Sequence, residues 1–245
     1  MKALVTGGTS GIGLDIAREL DKRGYDLVLV SEKSTVDTSD FKNKVEIINM
    51  DLSKVDNCYK LHDQVKDVDV FINNAGFGVF GPFDKTDMDK ELKMIDVNVK
   101  AMHVLTKLYL KDMKEKNSGY ILNTASAAAY AYGPLMGTYY ATKSYVYKLT
   151  TAIYEELRRE KSKVVISCLT PGPVYTKFQE KANVTFTVST IKSEYVGKYA
   201  VEKLFKKKLL IVPGFSIKLS KVFINLLPVK LALKICYGFQ KRKDK

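Results

Sequence analysis

Short runs of apolar, β-branched residues alternate with longer stretches of helical spacing from residue 2 to residue 212, and this alternation constrains the fold more than any other feature. Runs at 2–6, 26–31, 45–49, 69–73, 119–124, 163–169 and 209–212 read as strands. Between them, 11–23, 54–65, 87–116, 138–160 and 194–206 carry helix spacing, with Ser53 and Asp87 as N-caps. Strands separated by helices pair in parallel, because a crossover helix returns the chain to the same edge of the sheet. The expected fold is α/β, a doubly wound parallel sheet of about seven strands with helices on both faces.

A chain of 245 residues suits one such domain, placed at 1–214 with a flap at 176–193, followed by a basic apolar tail at 215–245. With 46% hydrophobic and 27% charged residues and no low-complexity tract, disorder is excluded as the default. Cys58, Cys168 and Cys236 are scattered and lack metal-type spacing, so neither a disulfide framework nor a metal site is expected. A strand beginning at residue 2 leaves no room for a leader, and a cytoplasmic location is the expectation. Of the net charge of +13, most sits between Lys206 and Lys245, where Asp244 is the only acid among the basic residues. Such asymmetry suits an anionic surface as partner, although basic tails are also often merely solvated.

The first strand runs directly into Thr6-Gly7-Gly8-Thr9-Ser10-Gly11-Ile12-Gly13 and then a helix. Gly7, Gly11 and Gly13, with Thr9, Ser10 and Ile12 between them, would let the backbone turn sharply and approach a pyrophosphate at the helix N-terminus, in the Rossmann manner. The spacing is G-x-x-x-G-x-G, and alone it also suits a purely structural turn. Glu32, nineteen residues after Gly13, stands where an acid could bind a ribose diol and repel a 2′-phosphate, which favours NAD over NADP. Lys33 beside it pulls the other way. Asp51 and Leu52 follow the third strand and could meet the adenine, while Asp51 could equally cap the next helix.

TGGTSGIG, NNAG at 73–76, Asn98, Ser126, Tyr139 and Lys143 as Y-x-x-x-K, and Pro171-Gly172 stand in an order and spacing that resemble the short-chain dehydrogenase/reductase family over about residues 2–176. Each motif is weak singly, and the ordered set is specific. The resemblance implies an NAD(P) cofactor and a catalytic set of Asn98, Ser126, Tyr139 and Lys143. It implies that Ser126 binds the substrate oxygen, that Asn98 holds a water beside Lys143, and that Lys143 also binds the nicotinamide ribose. Asn74 would stabilise the central sheet, with Ala75 and Gly76 permitting close approach to the cofactor and Gly76 bordering the adenine ribose. Pro171, Gly172, Val174 and Thr176 would border the nicotinamide.

The residues themselves are consistent with this. A Tyr and a Lys at i and i+4 share one helix face, and a neighbouring ammonium would lower the phenol's pKa enough for proton transfer. Tyr140 has Ser144, not a lysine, at i+4, and is assigned to packing or the pocket wall. Without the resemblance, Ser126 reads as an ordinary loop serine and Asn98 as a buried polar anchor. His62 and His103 lie far from any motif.

An apolar rim of Phe77, Phe80, Phe83, Tyr130, Tyr132, Leu135, Met136 and Phe178 suits a hydrophobic ketone or alcohol, acyl or steroid-like, unless these residues simply pack the domain. The tail from Phe215 to Phe239 is too interrupted by lysines to span a bilayer, and could pack on the body, join a dimer or tetramer, or lie on a membrane surface as a peripheral contact. It lacks the interleaved aromatics of a nucleic-acid surface, and no nucleic-acid partner is expected. The expected activity is interconversion of a ketone and a secondary alcohol. The alternative is a catalytically silent, nicotinamide-sensing binding protein of the same fold.

Overall fold

The computed structural model describes residues 1–33, 36–175, 191–214 and 227–241. Its strands are β1 (Lys2–Thr6), β2 (Asp26–Ser31), β3 (Val45–Asn49), β4 (Val70–Asn73), β5 (Tyr120–Thr124), β6 (Val165–Leu169), β7 (Val174–Tyr175), β8 (Ile191–Lys192) and β9 (Leu210–Ile211). Seven of them form one all-parallel sheet in the order β3-β2-β1-β4-β5-β6-β9. The doubly wound, Rossmann-type plan expected from the alternation is the plan observed. Strand β4 starts one residue later than the apolar run, at Val70, with Asp69 at its edge donating its N–H to Lys2 O, accepting from Tyr120 N–H at its carbonyl and accepting from Lys2 N–H at its carboxylate. Strand β5 likewise starts after Gly119, whose φ of +133° turns the chain into it.

Helices α1 (Gly11–Asp21), α2 (Val55–Gln64), α3 (Met88–Ile95), α4 (Met102–Lys116), α5 (Gly137–Arg159), α6 (Ser193–Phe205) and α7 (Val229–Lys241) accompany the strands. Central strands are covered on both faces, which is why their sequences are continuously apolar. Ala3 and Val5 pack with Ile16, Leu20, Val196 and Leu204 of α1 and α6. Leu4, between them, points the other way and joins Leu61, Leu105, Tyr109 and Met113 of α2 and α4. Each such large side chain, fully buried, contributes roughly 1.5–3 kcal/mol.

Three local expectations are corrected. The single helix read over 87–116 is two helices joined by a π-helical turn at Asp96–Ala101, which brings buried Asn98 out of the ordinary helical register. Asp87 does cap α3, accepting from Lys90 N–H, but Ser53 does not cap α2. Ser53 instead donates its N–H and hydroxyl to Asp51 Oδ1, and α2 begins after Lys54. Finally, Val174–Tyr175 and Ile191–Lys192, assigned to a loop and a flap, pair as a small parallel ladder ahead of α6. Residues 176–190 of that flap lie outside the described residues.

Candidate active site

After β1 the chain turns at Gly7, whose φ of +63° is a left-handed value costly for residues with a Cβ. Its N–H donates to Val30 O at 2.7 Å, fastening the turn to β2. A Cβ on Gly13 would lie 2.2 Å from Gly7 O, so the turn closes on α1 only with glycine there. Helix α1 starts after Ser10 with no side-chain cap and no acid in its first turn, leaving its N–H groups available to an anion.

The strand order reverses between β1 and β4, and there the two loops are tied together. Asn74 N–H and Ala75 N–H donate to Thr6 Oγ1 at 2.9 and 3.1 Å, and Asn74 Nδ2 donates to Thr6 O at 3.2 Å. A cavity of about 770 Å³ runs along this carboxyl edge of the sheet. Gly7, Thr9, Ser10, Gly11 and Ile12 line it beside β1, and Glu32, Asp51 and Leu52 line it beside β2 and β3. Asn74, Ala75 and Gly76 line its centre, with Ser126, Tyr139, Lys143, Pro171, Gly172 and Val174 on the β5–β6 side. Gly13 and Asn98 support this surface from behind. Thr176 lies outside the described residues.

Tyr139 and Lys143 sit one turn apart on α5, both buried. The Tyr139 hydroxyl is hydrogen-bonded to Ser126, whose Oγ also accepts from Ala128 N–H. Lys143 Nζ donates to Thr124 O at 3.0 Å and lies 5.9 Å from the Tyr139 ring centre. Burial pushes the Tyr139 phenol up to about 12, and the Ser126 bond offsets only part of that. Burial pulls Lys143 down to about 8. The expected lowering of the phenol by the ammonium is therefore reversed in this arrangement, because desolvation dominates both groups.

Asn98 Oδ1 accepts from Phe77 N–H at 3.1 Å, and its Nδ2 donates to Phe77 O and Thr142 Oγ1 at 2.9 and 3.1 Å. Both amide protons are thus used to pin the NNAG loop to α5. A Cβ on Gly76 would stand 2.8 Å from Asn98 Oδ1 and 3.3 Å from Lys143 Nζ, so these polar atoms converge where only glycine leaves room.

Lys93, on α3, is a lining residue that sequence reasoning missed. Its Nζ lies 2.8 Å from Glu32 Oε1 and 3.7 Å from Asp51 Oδ2. Hydrogen bonding to Glu32 holds the ammonium above its ordinary range. Burial works to raise the Asp51 carboxyl, but the Ser53 bonds and the Lys93 charge outweigh it and hold the group low. Nothing in the local sequence marks Lys93, since only tertiary packing brings its ammonium to Glu32 and Asp51, the acids that follow β2 and β3.

The apolar rim divides. Phe77 and Met136 line the cavity, joined by Tyr140, and Phe80 packs against them. Phe83 is 79% exposed, and Tyr130 is turned inward, its hydroxyl donating to Thr170 Oγ1 and its ring packed on Tyr147. Phe178 lies outside the described residues. His62 and His103 bond Asp112 and Tyr145, away from the cavity. Among the described residues no group of three or more His, Cys, Asp or Glu could hold a metal ion.

A family model for short chain dehydrogenases matches residues 1–185. The chain belongs to the short-chain dehydrogenase/reductase family. A very-long-chain 3-oxoacyl-CoA reductase of Bos taurus is 34% identical over 192 residues, 71% of this chain and 60% of that protein. The chain spans about three fifths of the length of the curated relatives it matches. A short-chain dehydrogenase/reductase from Burkholderia phymatum in complex with NAD superimposes with a TM-score of 0.83 at 24% identity, covering 91% of this chain and 92% of that one. One from Sphingobium yanoikuyae in complex with NADPH gives 0.81 at 22%, with the same coverage. At these identities the two structures show the short-chain dehydrogenase/reductase fold alone.

Proposed function

We propose that this chain interconverts a ketone and a secondary alcohol on a hydrophobic small molecule, using a nicotinamide dinucleotide. The observation that carries this is the hydrogen bond between Ser126 and Tyr139 at one end of a 770 Å³ cavity whose other end is the glycine turn of α1. The residues present fit the dinucleotide: a Cβ at Gly7, Gly13 or Gly76 would meet atoms closer than 3.2 Å, and the uncapped N-terminus of α1 suits a pyrophosphate. When bound, that group gives or takes a hydride.

The protein's own atoms do the rest. Ser126 Oγ orients the substrate oxygen and stabilises the charge that develops on it. Tyr139, hydrogen-bonded to the same serine, delivers or accepts the proton at that oxygen. Its phenol, held protonated by burial, is set as the acid for reduction. Lys143 places a positive charge beside the reacting centre, held by the Thr124 carbonyl. Asn98 keeps the Phe77 loop in position. Phe77, Met136 and Tyr140 supply the apolar wall, and the bovine relative's name makes a 3-oxoacyl thioester the first substrate class to try. Glu32 favours NAD, and Lys93 beside it tempers that preference.

The test is turnover of a panel of hydrophobic ketones and 3-oxoacyl thioesters with NADH and NADPH, run in parallel on wild type and Tyr139→Phe. Activity in the wild type and its loss in the variant, with cofactor binding retained, supports the proposal. Equal activity in both would sink the Tyr139 assignment. Cofactor binding with no turnover on any member of the panel would favour a sensing protein.

A further inference from the structure

Helix α7 is docked the wrong way round for a helix that simply completes the core. Ala232, Cys236 and Gln240, which fall within about 80° of each other at 100° per residue, are its buried face. Gln240 Nε2 donates to Tyr140 Oη, and the Cys236 thiol takes a hydrogen bond from the Tyr132 backbone, so this face is fastened behind Tyr140, a residue of the cavity wall. The large apolar side chains are left outside. Leu231 and Ile235 on one flank of the buried strip, and Leu233 and Tyr237 on the other, are each 38–46% exposed. An amphipathic helix satisfied by the domain would show the reverse distribution.

The charge on the helix identifies what covers those flanks. Lys230, Lys234 and Lys241 fall within about 40° of one another, between the two apolar flanks, and α7 carries no acid. Lys218 and Lys221 precede it in the sequence, and Arg242, Lys243 and Lys245 follow it. A second copy of the chain docked face to face would bring these lysines against each other. An anionic bilayer surface matches both features, because apolar flanks enter the acyl boundary while flexible lysine stems reach the headgroups. Thirteen residues make a helix of about 20 Å, short of the ~30 Å hydrocarbon core, and no helix among the described residues is long and apolar enough to cross a membrane.

We propose that the exposed face of α7 is a docking surface for anionic lipid bilayers, lying in the membrane interface and holding the Tyr140 side of the cavity against it. The proposal stands apart from the reaction assigned above and does not depend on turnover.

The experiment is flotation of the full chain with vesicles of phosphatidylcholine alone and of phosphatidylcholine with phosphatidylserine. Two double variants at exposed positions are compared with wild type, Leu231→Glu with Ile235→Glu, and Lys230→Glu with Lys234→Glu. Wild type should float with the anionic vesicles, with partition weaker on the neutral ones and falling with salt, and each double variant should lose about tenfold or more in partition. The soluble-substrate activity of the variants, where wild type has it, should be unchanged, which separates loss of docking from loss of folding. Wild type that fails to float with anionic vesicles, or a Leu231/Ile235 variant that floats as well as wild type, overturns the proposal. Concentration-dependent dimers abolished by the same substitutions, without vesicle binding, would assign the face to a second copy instead and also overturn it.

Discussion

Lys93 Nζ stands 2.8 Å from Glu32 Oε1, joining α3 to the end of β2 across the rim of the cavity. An acid at the end of β2 is by itself a repulsive neighbour for a 2′-phosphate, and a lysine bonded to that acid cancels much of the repulsion. Substituting either partner should therefore move cofactor choice in opposite directions. Lys93→Met leaves Glu32 and Asp51 uncompensated and should shift the NADP-to-NAD affinity ratio down about tenfold, while Glu32→Ala should shift it up by a similar factor. Titration of cofactor binding in the absence of substrate reads both, and parallel changes in the two variants would refute the account.

Tyr139→Phe should reduce kcat by roughly 10²–10⁴ with little change in cofactor affinity, since it removes the proton donor and no more than a hydroxyl from the wall. Tyr140→Phe should cost less than tenfold in kcat. Its hydroxyl meets Gln240, not Ser126, so the loss falls on the packing of α7 and should appear as a stability decrease of about 1 kcal/mol.

Lys143 carries a pH signature whose sign is fixed by burial. Its pKa falls from 10.5 in the unfolded chain to about 8 in the folded one, so below about 8 the folded state bears the full cost of a buried ammonium, on the order of 3 kcal/mol. Between about 8 and 10.5 the unfolded state binds more protons, and that cost is relieved as pH rises. Relative to Lys143→Met, wild type should gain stability across this window, measured by denaturant unfolding at several pH values. Activity that needs the ammonium should decline above about pH 8.

Gly13→Ala tests the turn rather than the chemistry. The new Cβ would be 2.2 Å from a backbone carbonyl that has nowhere to retreat. A destabilisation of about 1–3 kcal/mol is expected, together with loss of dinucleotide binding, by thermal melting with and without cofactor. Retention of both would show that the turn yields more readily than its packing indicates.

Much of this molecule was legible in its sequence. The parallel plan followed from β4, β5 and β6, whose apolar runs admit no solvent face, and the ends of the cavity followed from the glycine turn and from the i, i+4 pairing of Tyr139 with Lys143. What escaped was set by tertiary distance. Lys93 is an ordinary helix lysine until the fold sets its ammonium against Glu32 after β2, and Tyr130 reads as a rim aromatic until Thr170 takes its hydroxyl inward. Desolvation of Tyr139 and Lys143 was also invisible, because a spacing argument supplies their proximity and not the depth at which they sit. A buried chain of amides and hydroxyls, from Asn73 through Thr106 and Asn123 to Thr150, ties α4 and α5 beneath the site, and of its members only Asn73, the first residue of NNAG, belongs to a motif.

The π-helical turn at Asp96–Ala101 has a consequence for how this chain tolerates change in length. It divides one long rod into two with independent rotational phases, so that α3 turns Met94 toward Tyr139 while α4 turns Leu105, Tyr109 and Met113 onto the sheet. Each residue of helix corresponds to about 100° of rotation. Removing a single residue from that turn would swing one rod about its axis relative to the other, misdirecting either the wall of the cavity or the underside of the sheet, whereas the same deletion in the exposed loop around Lys85 would leave both in phase.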